Sequence, residues 1–504
     1  MATKYLMGLD AGSEGCRCLI VDLQGQAVAF ASRSWSYETP GDLAPLGREF
    51  DPRTFWRAIA QTIQDALAAS GASPKDILAV SATSQREGLV FLDAQGQEIY
   101  AGPNVDLRAF MEGMALDEEF GQEIYAITGH RPSFLFAPAK LRWFCSQRPK
   151  DFERIACALP LDGWVTYRLC GEAAVAVSSV GEVGLLDISQ GDWSERLRKL
   201  LDLPSGIYPP LGSAGARVGV VTPRAAQETG LAPGTPVALG GADTQCGLLG
   251  MGVYAEGQGG IVAGWSASLQ LPLERPLIDK ESRIWTGCHA FPGRWVVEGN
   301  AGEVGSVYRW LKDILFPGDG SEGYVSLEAA AQASPLGAEG TLALLGPQLM
   351  DMGRLGLRLG GFLFPVPRSL GAVSRGHLAR AFLENLAFAL RANCAQLEAI
   401  SGIEVSGMHV GGGLSRSHLL GHILAHVLYR PVKVSAQPHV STLGAAMAAG
   451  AATVYSSLEE ACQAMLPPFQ TYEPEALIAA EYQECYGRWQ KLAQGLEQLG
   501  PEVL

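Results

Sequence analysis

The chain opens on an apolar run, Tyr5-Leu6-Met7-Gly8-Leu9, that ends on the carboxylate of Asp10. It turns through Ala11-Gly12-Ser13-Glu14-Gly15 into a second run, Arg17-Cys18-Leu19-Ile20-Val21-Asp22-Leu23, and after Gln24-Gly25-Gln26 into a third, Ala27-Val28-Ala29-Phe30. Connections this short predict antiparallel hairpins, because a parallel crossover needs about a dozen residues or more. The sheet is therefore expected to begin as a meander, unlike a dinucleotide-binding domain, which begins β-α-β.

Asp51-Pro52 then marks a helix start, with Asp51 suited to the N-cap and Pro52 to the first helical position. Phe55, Ile59, Ile63 and Leu67 recur at helical spacing behind it. Ile77-Leu78-Ala79-Val80-Ser81 reads as a buried strand, and Leu89–Asp93 with Glu98–Tyr100 as a further hairpin. Residues 110 to 205 read as mainly helical, with turns near Pro132, Pro149 and Gly171. Near Pro236 the layout restarts: a strand, Val237–Gly241, runs into Ala242-Asp243-Thr244-Gln245. A strand-turn-strand over 259–269 then echoes the N-terminal hairpin. The repeat predicts two domains, 1–249 and 250–504. Two strong helices follow, His377–Ile400 and His418–Tyr429, with a strand between them entering Gly411-Gly412-Gly413. Ser441–Gly450 reads as a small-residue helix packed close against a neighbour.

At 504 residues the chain exceeds one hydrophobic core, which agrees with two domains. A formal charge of -14 argues against nucleic acid and anionic membrane as partners, since both call for basic surfaces. It leaves room for a phosphate ligand, which needs only local positive potential. The longest apolar runs are too short to span a bilayer, and no signal-like segment precedes the first strand, so a cytoplasmic location is expected. The ten cysteines contain no C-x-x-C pair and read as reduced, apolar residues.

Four segments can carry chemistry. In Asp10–Arg17, backbone N–H groups of a small-residue turn can cradle phosphate, Asp10 can hold Mg²⁺ through water, and Arg17 can offset phosphoryl charge; the same residues also fit a plain hairpin. In Gly240–Gln245, Asp243 just past a buried strand suits a general base for an alcohol, or simply a helix N-cap. In Ser84–Gly88, Arg86 and Glu87 can bind vicinal hydroxyls by charge-assisted hydrogen bonds, or form a solvated loop pair. Gly411–Gly413 before a helix can take a nucleotide by close backbone approach, or make a tight helix entry. A G-x-x-x-x-G-K-[ST] loop is missing from the sequence, which excludes a P-loop enzyme.

Taken in order, these segments resemble the FGGY carbohydrate kinases. The resemblance runs through Leu9-Asp10-Ala11-Gly12-Ser13 with Arg17, Glu49-Phe50-Asp51-Pro52, Asn104-Val105-Asp106-Leu107-Arg108 and Lys140-Leu141-Arg142-Trp143. It continues through Gly241–Gln245, His377–Glu384, Gly411–Gly413 and Ser441–Ala446, nearly the whole chain. It implies an α/β fold of two ribonuclease-H-like (actin-like ATPase) domains with an interdomain cleft. It further implies Asp243 as catalytic base, Arg86, Glu87, Asp243 and Gln245 as substrate contacts, and Asp10 at the metal position. Ser13, Arg17, Gly264, Gly305, Gly412 and Gly413 match the nucleotide contacts. ATP and Mg²⁺ are the implied cofactors, a small sugar or polyol the substrate, and a homodimer the assembly. Ser84–Gly88, Asn104–Asp106 and Ile124–Gly129 look most like the autoinducer-2 kinase branch. Ser13 replaces the usual Thr, Glu14 adds charge to the phosphate turn, and Trp265 stands where the family usually has a phosphate-contacting Thr. Leu135 stands where glycerol kinases have a tyrosine near the polyol, which argues against glycerol. The expected reaction is γ-phosphoryl transfer to a primary hydroxyl. The alternatives are a sugar-sensing protein with weak transfer and another actin-fold ATPase.

Overall fold

In the computed structural model, described over residues 4–204, 206–320, 322–354, 359–366 and 373–503, the chain forms two compact units. One runs to Ala255 and takes in Pro272–Val296 and His439–Pro467; the other holds Glu256–Leu271, Val297–Pro438 and the chain from Pro468.

The first unit begins with the expected meander, β1 (Tyr5–Ala11), β2 (Gly15–Asp22) and β3 (Ala27–Ser34), all antiparallel. Helix α1 (Pro52–Ser70) starts where the sequence places it: the Asp51 carboxylate accepts the Thr54 N–H at 2.7 Å, and Gly71 closes the helix in the left-handed region. Its apolar stripe, Phe55, Ile59, Ile63 and Leu67, is buried against the sheet. Strand β4 (Ile77–Ser84) lies parallel to β1, and β5 (Arg217–Val220) and β6 (Pro236–Ala242) complete a sheet of order β5-β6-β4-β1-β2-β3. Helix α2 (Asp243–Gly250) follows β6 directly. The hairpin Leu89–Leu92 with Glu98–Gly102 forms as predicted, but it belongs to a separate three-stranded sheet with Cys157–Pro160. That last strand sits in a stretch the sequence reads as mainly helical; at four residues it is too short to show a period. Helices Phe110–Thr128, Ala137–Gln147 and Leu161–Cys170 account for much of the rest of that stretch.

The small-residue helix Val440–Ala451 belongs to this first unit. A Cβ on Gly8 would collide with the Thr442 carbonyl, and one on Gly444 with the Cys246 backbone, so the small residues set how closely the helix seats against β1 and α2.

The second unit repeats the arrangement with β7 (Gln258–Ala263), β8 (Ser266–Leu273), β9 (Trp295–Glu303), β10 (Gly407–Gly412), β11 (Val432–Ser435) and β12 (Phe469–Tyr472). Six of the seven strands of this sheet, in the order β9-β8-β7-β10-β11-β12, repeat the plan of the first: an antiparallel hairpin, two parallel neighbours, then an antiparallel edge strand. Helix α3 (Gly305–Leu315) follows β9, and α4 (Arg375–Ser401) opens on a capping box built from Ser374 and His377. Helix α5 (His418–Leu428) follows the triple-glycine turn. No described helix is long and apolar enough to cross a membrane.

Candidate active site

Three parallel strands of the first unit end level with one another. Register places Asp10 of β1 beside Thr83 of β4, and Thr83 beside Gly241 of β6, whose carbonyl accepts the Thr83 hydroxyl at 2.6 Å. The residues that leave these ends are Asp10, the turn Gln85-Arg86-Glu87, and Asp243. Far apart in sequence, they share one edge because parallel strands bring their carboxyl ends to the same side.

Asp243 is the first residue of α2 and accepts the Thr244 N–H at 2.8 Å. It sits deep but keeps partial solvent access. Burial pushes its carboxyl up to about 8, with the charges of Asp10 and Glu87 adding to the rise and Arg86 opposing it. Such a carboxylate is far more basic than an ordinary aspartate, which suits proton removal from an alcohol near neutral pH.

Asp10 and Arg17 face each other across the β1–β2 pair, Nη1 to Oδ2 at 2.7 Å. Asp10 raises the Arg17 pKa, and Asp243 and Glu14 contribute in the same sense. Asp10 Oδ1 is buried without a protein partner. An acceptor atom left in that state fits a hydrated Mg²⁺, which takes one or two carboxylates and keeps its water rather than filling an all-protein cage. The adjoining turn is braced: Ser13 Oγ accepts from Asn104 Nδ2 at 3.0 Å, the Ser13 carbonyl from Tyr37 at 2.5 Å, and the Gly12 carbonyl from Gln85 Nε2 at 3.3 Å.

Arg86 and Glu87 are no solvated loop pair. They are 9% and 8% exposed, and Glu87 adopts φ 60°, a left-handed backbone that costs a non-glycine residue about 1–2 kcal/mol. Arg86 Nη1 donates to Glu182 Oε2 at 3.0 Å, and its guanidinium stands 5.4 Å from the Trp285 ring centre. The buried Lys140 ammonium reaches the Leu135 carbonyl at 2.8 Å and the Glu87 carbonyl at 3.5 Å; burial lowers its pKa to about 8. Gln245 is fully buried, its amide donating to Glu182 Oε1 at 2.7 Å and its carbonyl accepting the Thr244 hydroxyl at 2.8 Å. Both ends of that side chain are thus engaged by the protein.

In the second unit the four glycines converge on the carboxyl end of β7. Gly264 opens the β7–β8 turn on an exposed face with open space over its Cα. The Gly305 N–H donates to the Trp265 carbonyl at 2.9 Å, and a Cβ on Gly305 would stand 2.5 Å from the Gly264 oxygen. Gly412 pairs in register with Ala263 at φ 97°, a conformation that favours glycine, and a Cβ there would strike the Ala263 carbonyl. Gly413 follows. Helix α3 starts here without a side-chain cap: its N-cap is Val304, and the Trp265 carbonyl takes the Val304 and Gly305 N–H groups. The Trp265 indole beside it is 40% exposed.

Sequence reasoning missed Glu182, His130 and Trp285. Glu182 is 1% exposed; burial alone would raise its pKa, but Arg86 and His130 hold it below the usual carboxylate range. A signal was present: a lone charge inside Val180-Gly181-Glu182-Val183-Gly184 is a buried charge by pattern and calls for a partner.

The family described as "FGGY family of carbohydrate kinases, N-terminal domain" matches residues 5–250, and its C-terminal counterpart matches residues 260–453. The autoinducer-2 kinase of Klebsiella pneumoniae is 31% identical over 507 residues, covering 97% of this chain and 93% of that one. The autoinducer-2 kinase of Yersinia pseudotuberculosis is 33% identical over 506 residues, covering 96% and 93%. Among solved structures, xylulose kinase from Rhodospirillum rubrum superposes with a TM-score of 0.83 at 27% identity, covering 99% of each chain. The ADP complex of Plasmodium falciparum glycerol kinase shares the fold, with a TM-score of 0.82 at 17% identity over 98% of each chain. The chain belongs to the FGGY family of carbohydrate kinases and is an ATP-dependent sugar kinase.

Proposed function

We propose that this kinase transfers the γ-phosphoryl group of ATP to a primary hydroxyl of a small linear carbonyl sugar, either a dihydroxy ketone of the autoinducer-2 type or a ketopentose such as xylulose or ribulose. The observation that carries the reading is Asp243, a strand-end carboxylate made strongly basic by burial and set among Asp10, Arg86 and Glu87. Asp243 removes the proton as the acceptor oxygen bonds to phosphorus and the β–γ bridging bond breaks. Arg86 and Glu87 supply a cation and an anion for adjacent oxygens of the acceptor. Arg17 offsets developing phosphoryl charge. Asp10 would hold Mg²⁺ through water, and the bound ion supplies charge neutralisation at the phosphates. The backbone at Gly264, Gly305, Gly412 and Gly413 gives the nucleotide close approach, with no side chain in its way, and Ser13 orients the turn beside Arg17. Gln245 acts by holding the start of α2, since its amide is used internally. The autoinducer-2 kinase relatives and the xylulose kinase fold support this acceptor class. We place the enzyme in the cytoplasm, where ATP is made.

A coupled ADP-release assay with Mg-ATP and a panel of glycerol, D-xylulose, D-ribulose and a linear dihydroxy ketone tests the reading. Acceptor-dependent turnover on the ketones, with glycerol poor, is expected. Tight acceptor binding without turnover on any of them would point instead to a sugar sensor.

A further inference from the structure

Arg86 and Gln245 come from different parts of the first unit, one from the turn after β4 and the other from α2, two residues past Asp243. One buried carboxylate joins them. Glu182 Oε2 takes Arg86 Nη1 at 3.0 Å, and Oε1 takes Gln245 Nε2 at 2.7 Å. His130 closes the far side. Its Nδ1 donates to the Thr128 carbonyl at 2.8 Å, and its Nε2, buried without a hydrogen-bond partner, stands 3.5 Å from Glu182 Oε2. The backbone is fitted to the carboxylate: a Cβ on Gly287 would stand 2.5 Å from Glu182 Oε1. Trp285 lies under the guanidinium and 5.6 Å from the imidazole, so an aromatic ring covers both partners of the buried Glu182.

We infer that Glu182, braced by His130, is a positioning residue of the acceptor site: it fixes the guanidinium of Arg86 and the first turn of α2 in the orientation that receives the sugar. The inference rests on the acceptor reading proposed above. Its physical basis is that a guanidinium on a long side chain needs a charged, bidirectionally anchored partner to keep one orientation inside a protein. Burial opposes a charged imidazole at His130 while Glu182 favours it, and the net effect is a raised pKa.

Acceptor and ADP affinities are measured by calorimetry on the full-length protein and on Glu182→Gln, with the panel sugar that wild type binds most tightly as probe. Glu182→Gln keeps the shape and one accepting oxygen, removes the charge, and sets an amide donor where the second oxygen accepts. Acceptor affinity is expected to fall by about tenfold or more, the worth of a charge-assisted hydrogen bond. ADP affinity should stay within about twofold. Arg86→Lys supplies the second arm: adding Glu182→Gln to it should cost clearly less acceptor affinity than Glu182→Gln costs alone, because part of the effect of Glu182 runs through Arg86 and the rest through Gln245. If Glu182→Gln does not fold, His130→Asn, which removes only the outer brace, should show the same selective loss on a smaller scale. Unchanged acceptor binding in a folded variant overturns the inference. So does a parallel loss of acceptor and ADP affinity, which would mark a merely structural role, or full additivity with Arg86→Lys. Wild type that binds acceptor without turning it over would sink the transfer reading and leave this one standing.

Discussion

Replacing Asp243 by Asn should abolish turnover and stabilise the protein. The catalytic half follows from the base: removing it costs about 10²–10⁴ in rate. The stability half follows from burial. The carboxyl pKa rises from 3.8 in the unfolded chain to about 8 in the folded one. Stability conferred by the neutral form is complete below the lower value and is lost as pH climbs through the higher one. Between those limits wild type loses ground to the Asn variant by up to about 1.4 kcal/mol per pH unit. Partial solvent access at Asp243 screens part of this, leaving a difference on the order of a few kcal/mol at pH 8. A melting point higher by on the order of 5 °C is expected there, shrinking toward zero as pH falls to about 4. The assays are thermal melts of both proteins across that range and the pH profile of kcat/KM for the acceptor. In wild type the profile should rise with pH to an apparent pKa near 8, and the variant should lack that limb. Near-normal turnover in Asp243→Asn, or a melting difference independent of pH, would refute the assignment.

Three further outcomes follow. Asp10→Asn removes the charge whose Oδ1 is buried without a protein partner, so the Mg²⁺ concentration for half-maximal velocity should rise by about tenfold; an unchanged Mg²⁺ titration would count against Asp10. Gly412→Ala forces a side chain into a left-handed position against the Ala263 carbonyl, and a loss of about 1–3 kcal/mol together with weaker ADP binding should be seen by melting and calorimetry. Asp51→Ala removes only the α1 cap, so a loss of about 1 kcal/mol with kcat unchanged is expected; altered kcat would show that α1 reaches the chemistry.

What was legible in the sequence was local. The opening meander, the Asp51-Pro52 helix start and the strand into Gly411–Gly413 follow from short turns, cap chemistry and period, and all three are present. The repeat of layout was legible too, because a strand-turn-strand with small residues recurs at 259–269. The level ends of β1, β4 and β6 were not, since register between distant parallel strands leaves no mark on any one segment. Burial of Arg86 and Glu87 was open for the same reason: it depends on Glu182, Trp285 and Lys140, which arrive from three other parts of the chain. The internal partners of Gln245 were equally illegible: its place beside Asp243 shows in the sequence, while its hydrogen bonds to Glu182 and Thr244 depend on how α2 seats in the fold.

Phosphorus NMR of a reaction containing Mg-ATP and the preferred ketone follows the transferred group itself. One sugar phosphate per ADP is expected, with the new phosphorus coupled to protons of a primary carbon, and none from Asp243→Asn. ADP accompanied only by inorganic phosphate, or a phosphorylated ketone from the Asn variant at the wild-type rate, would contradict it.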